Sequence, residues 1–264
     1  MWFQSASLQG KRISNEDEHF HFNNIDGKKN ANKINFFCVF DGHGGNGISK
    51  YLKKNLPKYF IKNPITFDNK KKVSNTIKKI YNKINDDLKQ KHPRMSLYCG
   101  STALVCILSK NIKNKLILWV INVGDSRGVL CNKKWKAMQL SEDHKPNTKL
   151  ERKRIHKLGG EIKYDGYEWR IQDLSLSRAF GDIESTPYIT HLPQIYKYNI
   201  SKFDKFIILA CDGLWDVLSN QKAVCFVKKL YPQVKSINIA KKLAEYAIQM
   251  GSTDNVTVIL MYLF

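Results

Sequence analysis

The fold is decided by a short apolar run that ends in an acid, a histidine and three glycines: Asn35-Phe36-Phe37-Cys38-Val39-Phe40-Asp41-Gly42-His43-Gly44-Gly45. Phenylalanine and valine favour the pleated backbone of a buried strand, and the glycines end that strand abruptly. Asp41 and His43 are therefore predicted to lie on a tight turn at the end of a rigid strand, as many catalytic groups do. An acidic turn without a function explains this single segment equally well.

A second strand is predicted just before the first, over residues 18 to 22. A loop rich in lysine and asparagine, residues 23 to 33, would join the two strands into an antiparallel hairpin. The open end of such a hairpin places Glu16 and Asp17 beside Asp41.

The rest of the chain alternates groups of strands with pairs of amphipathic helices. Helices are predicted over residues 48–60, 73–88, 149–158, 219–231 and 236–250, and further strands over 1–10, 102–108, 116–123, 128–131, 135–140, 206–211 and 256–263, with 161–182 irregular. Because strands mostly follow strands, the pattern favours an α+β fold in which helices cover antiparallel sheets. A doubly wound parallel sheet is less favoured. Without an internal repeat or a linker, the 264 residues are predicted to form a single domain, 1–264.

Composition and cysteine usage predict the compartment. The longest apolar runs are far too short to span a bilayer, and no secretory signal pattern opens the chain. The six cysteines form no CxxC pair and are predicted to be buried free thiols in a reducing compartment. The cytoplasm and the nucleus are both compatible with these features.

The chain is strongly basic, with 44 Lys and Arg against 23 Asp and Glu and a formal net charge of +21. A nucleic-acid-binding protein can have such a composition. However, no basic run is interleaved with aromatic residues that would stack on bases, so a solvated lysine-rich surface is the favoured interpretation and no nucleic acid is expected. A positive field would also attract anionic substrates, phosphoproteins among them.

Several acidic turns are predicted to meet at one edge of the sheets. Asp41 and Asp212 each follow an apolar strand and precede glycine, Asp125 ends another strand, and Asp254 precedes the last one. If the last strand is antiparallel to the strand ending at Cys211, Asp212 and Asp254 share an edge. Each acid taken alone is explained equally well by a solvated turn.

Carboxylates that converge in this way repel one another unless a cation lies between them. Mg²⁺ and Mn²⁺ prefer oxygen ligands, whereas zinc is disfavoured because no Cys or His pair has ligand spacing. Two such ions roughly 3.5–4 Å apart can share a water and lower its pKa, which makes a hydroxide nucleophile. The roles of Asp143 and Asp182 are left open: each is either a capping group or a group that contacts a metal ligand without binding the ion.

The set of motifs along the whole chain resembles the PP2C (PPM) family of metal-dependent protein serine/threonine phosphatases. The matching segments are Arg12 to Asp17, Phe40 to Gly45, Gly100 to Ala103, Asn122 to Arg127, Asp143 to Pro146, Leu174 to Asp182, Asp212 to Asp216 and Asp254 to Val258. The resemblance implies a four-layer αββα sandwich and a binuclear Mn²⁺ or Mg²⁺ site.

The resemblance also implies which residues serve the metal ions: Glu16, Asp17, Asp41, Gly42, Asp125, Asp212 and Asp254. Asp41 would bridge both ions, Asp212 and Asp254 would bind one of them, and Glu16 and the Gly42 carbonyl would bind the other. Asp17 would hold metal-bound water. Asp125, with Asp216, would belong to a weaker third metal site.

The implied reaction is the single-step hydrolysis of phosphoserine and phosphothreonine in proteins by a metal-bridged hydroxide. Asp41, Arg12 and His43 are the predicted catalytic residues: Arg12 would grip the substrate phosphate, and His43 would protonate the departing serine or threonine oxygen. Gln172-Asp173 departs from the Asn-Gly that is usual before the Leu174 to Arg178 run, so the nearby flap is expected to differ in shape.

Two alternatives to a phosphatase remain at this point. The first is a non-catalytic regulator of the same fold that binds phosphoproteins. The second is a nucleic-acid-binding or two-metal nuclease domain, which the charge and the acids would both allow.

Overall fold

The computed structural model describes residues 2–23, 34–65, 67, 69–110 and 115–263. The strands are β1 Trp2–Leu8, β2 Glu18–Asn23, β3 Asn35–Phe40, β4 Gly42–His43, β5 Gly100–Ser101, β6 Ala103–Lys110, β7 Leu116–Val123, β8 Arg127–Cys131, β9 Ala137–Gln139, β10 Ile162–Tyr164, β11 Trp169–Ile171, β12 Phe180–Gly181, β13 Gln194–Asn199, β14 Phe206–Ala210 and β15 Val256–Tyr262. The helices are α1 Gly47–Lys62, α2 Lys70–Lys91, α3 Pro93–Tyr98, α4 Lys149–Lys157, α5 Asp212–Trp215, α6 Asn220–Leu230 and α7 Ile239–Gln249, with 3₁₀ turns at Ile183–Ser185 and Tyr231–Gln233.

Two five-stranded antiparallel sheets form the centre of the fold. One has the strand order β1-β15-β14-β8-β9 and the other β13-β7-β6-β3-β2. Their facing sides pack together through apolar residues such as Val39 and Leu209, both fully buried. Helices α1 and α2 cover the outer side of the second sheet, and α6 and α7 cover that of the first. The predicted α+β class and the αββα sandwich are therefore confirmed.

The sandwich explains why the central strands have continuous apolar sequences. In β3, Phe36, Cys38 and Phe40 face the helices, whereas Phe37 and Val39 face the other sheet. Successive side chains of a strand point to opposite faces, and here both faces are buried. All residues of β14 and β15 are buried for the same reason.

The predicted hairpin is present, and so is the strand pairing on which the shared edge of Asp212 and Asp254 depended. In the β2–β3 hairpin Glu18 pairs with Phe40, so residues 16 and 17 lie next to Asp41 at the open end. Strands β14 and β15 are antiparallel, with Ala210 opposite Val258, so the chain leaves β14 at the edge where it enters β15. Residues 24 to 33 of the predicted loop lie outside the described residues.

The elements that the sequence did not predict are short, apart from the six-residue strand β13. Residues 161–182, predicted to be irregular, contain the antiparallel hairpin β10–β11 and strand β12. Helix α3 and edge strand β13 were also missed. Three-residue strands with exposed side chains carry no clear apolar alternation, so their pairing is decided by the neighbouring strand rather than by local sequence.

The structure also bears on the predictions about the cysteines and about membrane-spanning segments. All six cysteines are free, but Cys225 is exposed and Cys99 is half-buried, so the prediction that they are buried is wrong for these two. Within the described part of the chain, none of the helices combines the length and the apolar character that a bilayer crossing requires.

Candidate active site

Four aspartates from four different elements meet at one edge of the sandwich. Asp17 precedes β2, Asp41 follows β3, Asp125 follows β7 and Asp212 begins α5. Carboxylate oxygens of Asp41, Asp125 and Asp212 lie within 4.8 Å of one another, and so do ligand atoms of Asp17, Asp41 and Cys211. Asp41 belongs to both groups and is therefore the central carboxylate of the cluster.

The electrostatics of this cluster suit a divalent cation. Burial, together with repulsion from Asp212, raises the pKa of Asp41 well above its usual range, and burial and repulsion from Asp125 do the same to the pKa of Asp212. The pKa of Asp17 rises to about 6, chiefly because it is buried. Repulsion between converging carboxylates is relieved by a cation with oxygen ligands.

Three oxygens of the cluster have unused bonding capacity. Asp17 Oδ2 and both carboxylate oxygens of Asp125 are buried and make no hydrogen bond among the residues that the structure describes. Asp125 Oδ2 has only the Lys145 ammonium beside it, at 2.7 Å. A buried acceptor without a partner is unfavourable unless a donor or a metal ion satisfies it. The donor set is almost entirely carboxylate oxygen, which fits Mg²⁺ or Mn²⁺.

Glu16 and Asp254 border the cluster but belong to neither of its two tight groups. Glu16 Oε2 accepts the Gly45 N–H at 3.0 Å, and Asp254 Oδ2 pairs with Arg12 Nη2 at 2.7 Å. Asn255 connects the two acids, because its Oδ1 accepts the Glu16 N–H at 2.8 Å. Glu16 and Asp254 are thus neighbours on the side where Arg12 is exposed to solvent.

Gly42 permits the close approach of two chain segments. A Cβ at this position would lie 2.4 Å from the Glu16 carbonyl oxygen and 2.9 Å from Ser49 Oγ. Any side chain would therefore push the Asp41–His43 turn away from Glu16. The glycine keeps the Gly42 backbone next to Glu16, where its carbonyl is predicted to act.

His43 is held by a carboxylate whose role the sequence left open. His43 Nε2 lies 2.8 Å and 3.0 Å from the two carboxylate oxygens of Asp182. Burial by itself lowers the pKa of His43, but the hydrogen bond and the charge of Asp182 outweigh it and the pKa is raised. Asp182 therefore favours the protonated imidazole and fixes its orientation.

Three short strands hold this pair. Strand β5 lies between β4, which carries His43, and β12, which ends beside Asp182. Gly100 of β5 lies directly under the pair, because a Cβ there would be 2.2 Å from both His43 Nε2 and Asp182 Oδ2. No pattern over residues 161–182 indicated this contact, since it depends on β12 pairing with a strand about 80 residues away in sequence.

Sequence reasoning also missed the role of Lys145. Its Nζ lies 2.7 Å from Asp125 Oδ2, 3.9 Å from Asp212 Oδ2 and 3.7 Å from Glu168 Oε1. Burial lowers the pKa of Lys145, but Asp125 and Asp212 outweigh it, so the pKa is raised and the ammonium stays charged. The Asp143 to Pro146 motif was the available signal, and it gave no role to the lysine.

The other residues of that motif fix the turn that carries Asp125. His144 Nδ1 accepts the Gly124 N–H at 3.0 Å, and its Nε2 lies 3.0 Å from Gln194 Oε1. Burial lowers the pKa of His144 to about 4, which keeps it neutral and able to accept this bond. Asp143, also left open by the sequence, forms an ion pair with Arg127.

A sequence profile of the family "Protein phosphatase 2C" matches residues 2–256 of the chain. The chain belongs to this family. Two rice members, "Probable protein phosphatase 2C 7" and "Probable protein phosphatase 2C 59", are 40% and 39% identical to it over 97% of its length. The chain spans 64% and 74% of these two proteins, and 49% of a third rice relative.

A viral relative and two solved structures extend the comparison. The "PP2C-like domain-containing protein R307" of Acanthamoeba polyphaga mimivirus is 45% identical over 54% of this chain and 92% of its own. A Caenorhabditis elegans sex-determining protein has a TM-score of 0.88 at 26% identity, over 100% of this chain and 65% of its own. A phosphatase from Toxoplasma gondii has a TM-score of 0.82 at 22% identity, over 98% and 91%, which shows the shared fold.

Proposed function

We propose that this protein phosphatase 2C family member hydrolyses phosphoserine and phosphothreonine in proteins, with two divalent ions, Mn²⁺ or Mg²⁺, in the acidic cluster. One observation carries the proposal: carboxylates of Asp41, Asp125 and Asp212 lie within 4.8 Å of one another, in a chain of net charge +21. Such a cluster at the edge of a basic molecule is expected where cations and a phosphate meet.

The proposed ligands are the seven residues of this edge: Glu16, Asp17, Asp41, Gly42, Asp125, Asp212 and Asp254. Asp41 is assigned the bridging position, which its central place among the clustered ligand atoms supports. Asp212 with Asp254, and Glu16 with the Gly42 carbonyl, complete the two ion positions. Asp17 is assigned to bound water, and Asp125, with Asp216, to a weaker third ion.

The bound ions would supply an activated water and neutralise charge on the reacting phosphate. Arg12 is the proposed phosphate-binding residue. Its side chain is 59% exposed, and Asp254 Oδ2 lies 2.7 Å from its Nη2 and orients the guanidinium. The planar group can pair two phosphate oxygens while part of it still contacts Asp254.

His43 is the proposed general acid. A serine or threonine alkoxide is a poor leaving group and needs a proton as the phosphorus–oxygen bond breaks. Asp182 raises the pKa of His43 by its hydrogen bond and its charge, against the effect of burial, and so favours the protonated ring. With Nε2 bonded to Asp182, Nδ1 is the nitrogen left to deliver that proton.

The proposed partners are phosphoserine and phosphothreonine proteins, which the positive field of the molecule would attract. Binding of nucleic acid is not expected. A steep decrease of RNA or DNA affinity with rising salt would contradict that expectation. The cytoplasm and the nucleus stay predictions from the sequence.

The test is a phosphatase assay on a phosphothreonine peptide with Mn²⁺ titrated against EDTA. Wild type should release phosphate only with Mn²⁺, and Asp41→Ala or Asp212→Ala should nearly abolish release. Asp86→Ala, at an exposed position of α2, is the matched control and should retain wild-type activity. A folded wild-type protein that binds the peptide without metal-dependent release would instead identify a non-catalytic regulator.

A further inference from the structure

Lys145 places a positive charge inside the cluster that is proposed to hold metal ions. Its side chain is 23% exposed and that of Asp125 only 2%, and the two charged groups are 2.7 Å apart. Asp212 Oδ2 lies 3.9 Å from the same ammonium. We propose that Lys145 is an internal counter-charge that competes with a divalent cation for Asp125, and so weakens the cation position nearest to that residue.

The backbone around Lys145 is held in place, so competition would involve movement of the side chain alone. The preceding residue, His144, accepts the Gly124 N–H with one ring nitrogen and contacts Gln194 with the other. The Lys145 N–H donates to the Asp143 carbonyl at 3.0 Å, and the Asp143 carboxylate is in turn paired with Arg127. On this fixed backbone the lysine side chain is a flexible point charge.

The cation and the ammonium compete for the same two carboxylates, those of Asp125 and Asp212. Asp125 Oδ2 lies next to Lys145, whereas Asp125 Oδ1 is buried without a hydrogen-bond partner in the described part of the chain. A divalent ion that bound both Asp125 and Asp212 would lie close to the lysine, and like charges at such a distance repel. Binding of the divalent ion therefore disfavours the Lys145 ammonium at this position, and the ammonium disfavours the ion to the same extent.

Glu168 gives the displaced ammonium a second partner. Its Oε1 lies 3.7 Å from Lys145 Nζ, and it belongs to the turn of the β10–β11 hairpin, just before β11. The Glu168 carboxylate also lies 3.5 Å from Arg170 on the same hairpin. Displacement of Lys145 from Asp125 towards Glu168 would couple cation binding to this hairpin. The inference rests on the proposed metal-dependent function.

The test measures metal binding rather than turnover. Mn²⁺ binding to the wild type, Lys145→Met and Lys145→Arg is followed by calorimetry and by the Mn²⁺ electron paramagnetic resonance signal at constant salt. Lys145→Met should bind its weakest Mn²⁺ at least about tenfold more tightly, because a repelling charge is removed. Lys145→Arg keeps the charge, so its Mn²⁺ affinity should stay close to that of the wild type. Glu168→Gln removes the second partner of the ammonium and should lower the affinity for this weakest Mn²⁺ ion.

Thermal unfolding separates this role from a purely structural one. Without added metal, Lys145→Met should have a lower Tm than wild type because the acids lose their counter-charge, and saturating Mn²⁺ should close that gap. Lys53→Met is the matched control, because it removes a lysine charge paired with Glu18 outside the cluster. Its Mn²⁺ affinity should not change.

The outcomes are distinguishable. Wild-type Mn²⁺ affinity in Lys145→Met, or a Tm deficit of equal size with and without Mn²⁺, would overturn the role of Lys145 and leave the proposed function in place. Absence of Mn²⁺ binding by both wild type and Lys145→Met would overturn the proposed metal site together with this inference.

Discussion

His43 and Arg12 flank the acidic cluster, and each is paired with its own carboxylate. Asp182 holds His43 through Nε2, and Asp254 holds Arg12 through Nη2. A charged donor that is oriented before the substrate arrives loses less freedom when the phosphate binds. The two pairs therefore support a positioning role for Asp182 and, beside its proposed role as a ligand, for Asp254.

The first prediction concerns the leaving group. His43→Ala is expected to lower kcat on a phosphothreonine peptide by about 10²–10⁴, the usual contribution of general acid catalysis. The loss on an aryl phosphate should be far smaller, because its leaving group departs without a proton. Steady-state kinetics on both substrates measure the difference, and equal losses would argue against the acid role. Asp182→Asn should show the same selectivity to a lesser degree.

The second prediction concerns the phosphate. Arg12→Ala is expected to lower kcat/KM on phosphopeptides by roughly 10- to 100-fold, the range of hydrogen bonds to charged groups. Arg12→Lys keeps the charge beside Asp254 but loses the planar pair of donors, so most of this defect should remain. Mn²⁺ affinity, measured in parallel, should change little in Arg12→Lys. Full activity of Arg12→Lys would show that charge alone suffices.

At the scale of elements, helix α4 is tied to the segment before β12 by one buried acid. Glu151 is 1% exposed and forms ion pairs with Arg154 and Arg178, while Ser177 Oγ donates to Glu151 Oε2 at 3.0 Å. Burial raises the pKa of Glu151, but the hydrogen bond and charge of Arg178, with the charge of Arg154, outweigh it and lower the pKa to about 2. The pairs hold the chain that leads to Asp182.

The third prediction follows from the direction of this shift. Because the folded-state pKa of Glu151 lies below its unfolded value of 4.5, its stabilising effect is complete above that pH and is lost as the pH falls towards 2. Glu151→Gln should lower the free energy of unfolding at pH 7 by about 2–3 kcal/mol and flatten its decline between pH 5 and pH 3. Urea unfolding across this range measures both effects. A variant with the wild-type slope would contradict the assignment.

The length and exposure of each element determined whether it could be predicted. Strands β3, β14 and β15 and helices α2 and α7 have long apolar patterns, because each is buried by the sandwich. The β10–β11 hairpin, β12 and β13 are short or only partly buried, and their strand partners are far away or on the surface. Hydrophobic periodicity cannot report such elements, because β12 is buried but has only two residues, and the other three strands are partly exposed.

At the scale of the whole molecule, the two sheets pack face to face through a buried apolar cluster. Leu209 of β14 is fully buried in that contact. As the fourth prediction, Leu209→Ala should lower the free energy of unfolding by about 2–5 kcal/mol, since it opens a cavity between the sheets. Leu150→Ala on α4, where the side chain is 57% exposed, is the control and should change it by roughly 0.5 kcal/mol or less. Urea denaturation measures both, and equal effects would contradict this packing.

The sequence by itself determined the α+β fold class, the hairpin that brings Asp17 beside Asp41, and the acidic turns at the ends of the apolar strands. These features follow from patterns within single segments, where burial on both faces produces apolar strands and a glycine after an acid produces a turn. Only the tertiary structure decided that Asp182 holds His43 and that Lys145 lies among Asp125, Asp212 and Glu168. Such contacts join residues far apart in sequence and depend on the packing of sheets and on the balance of buried charge, which no local pattern carries.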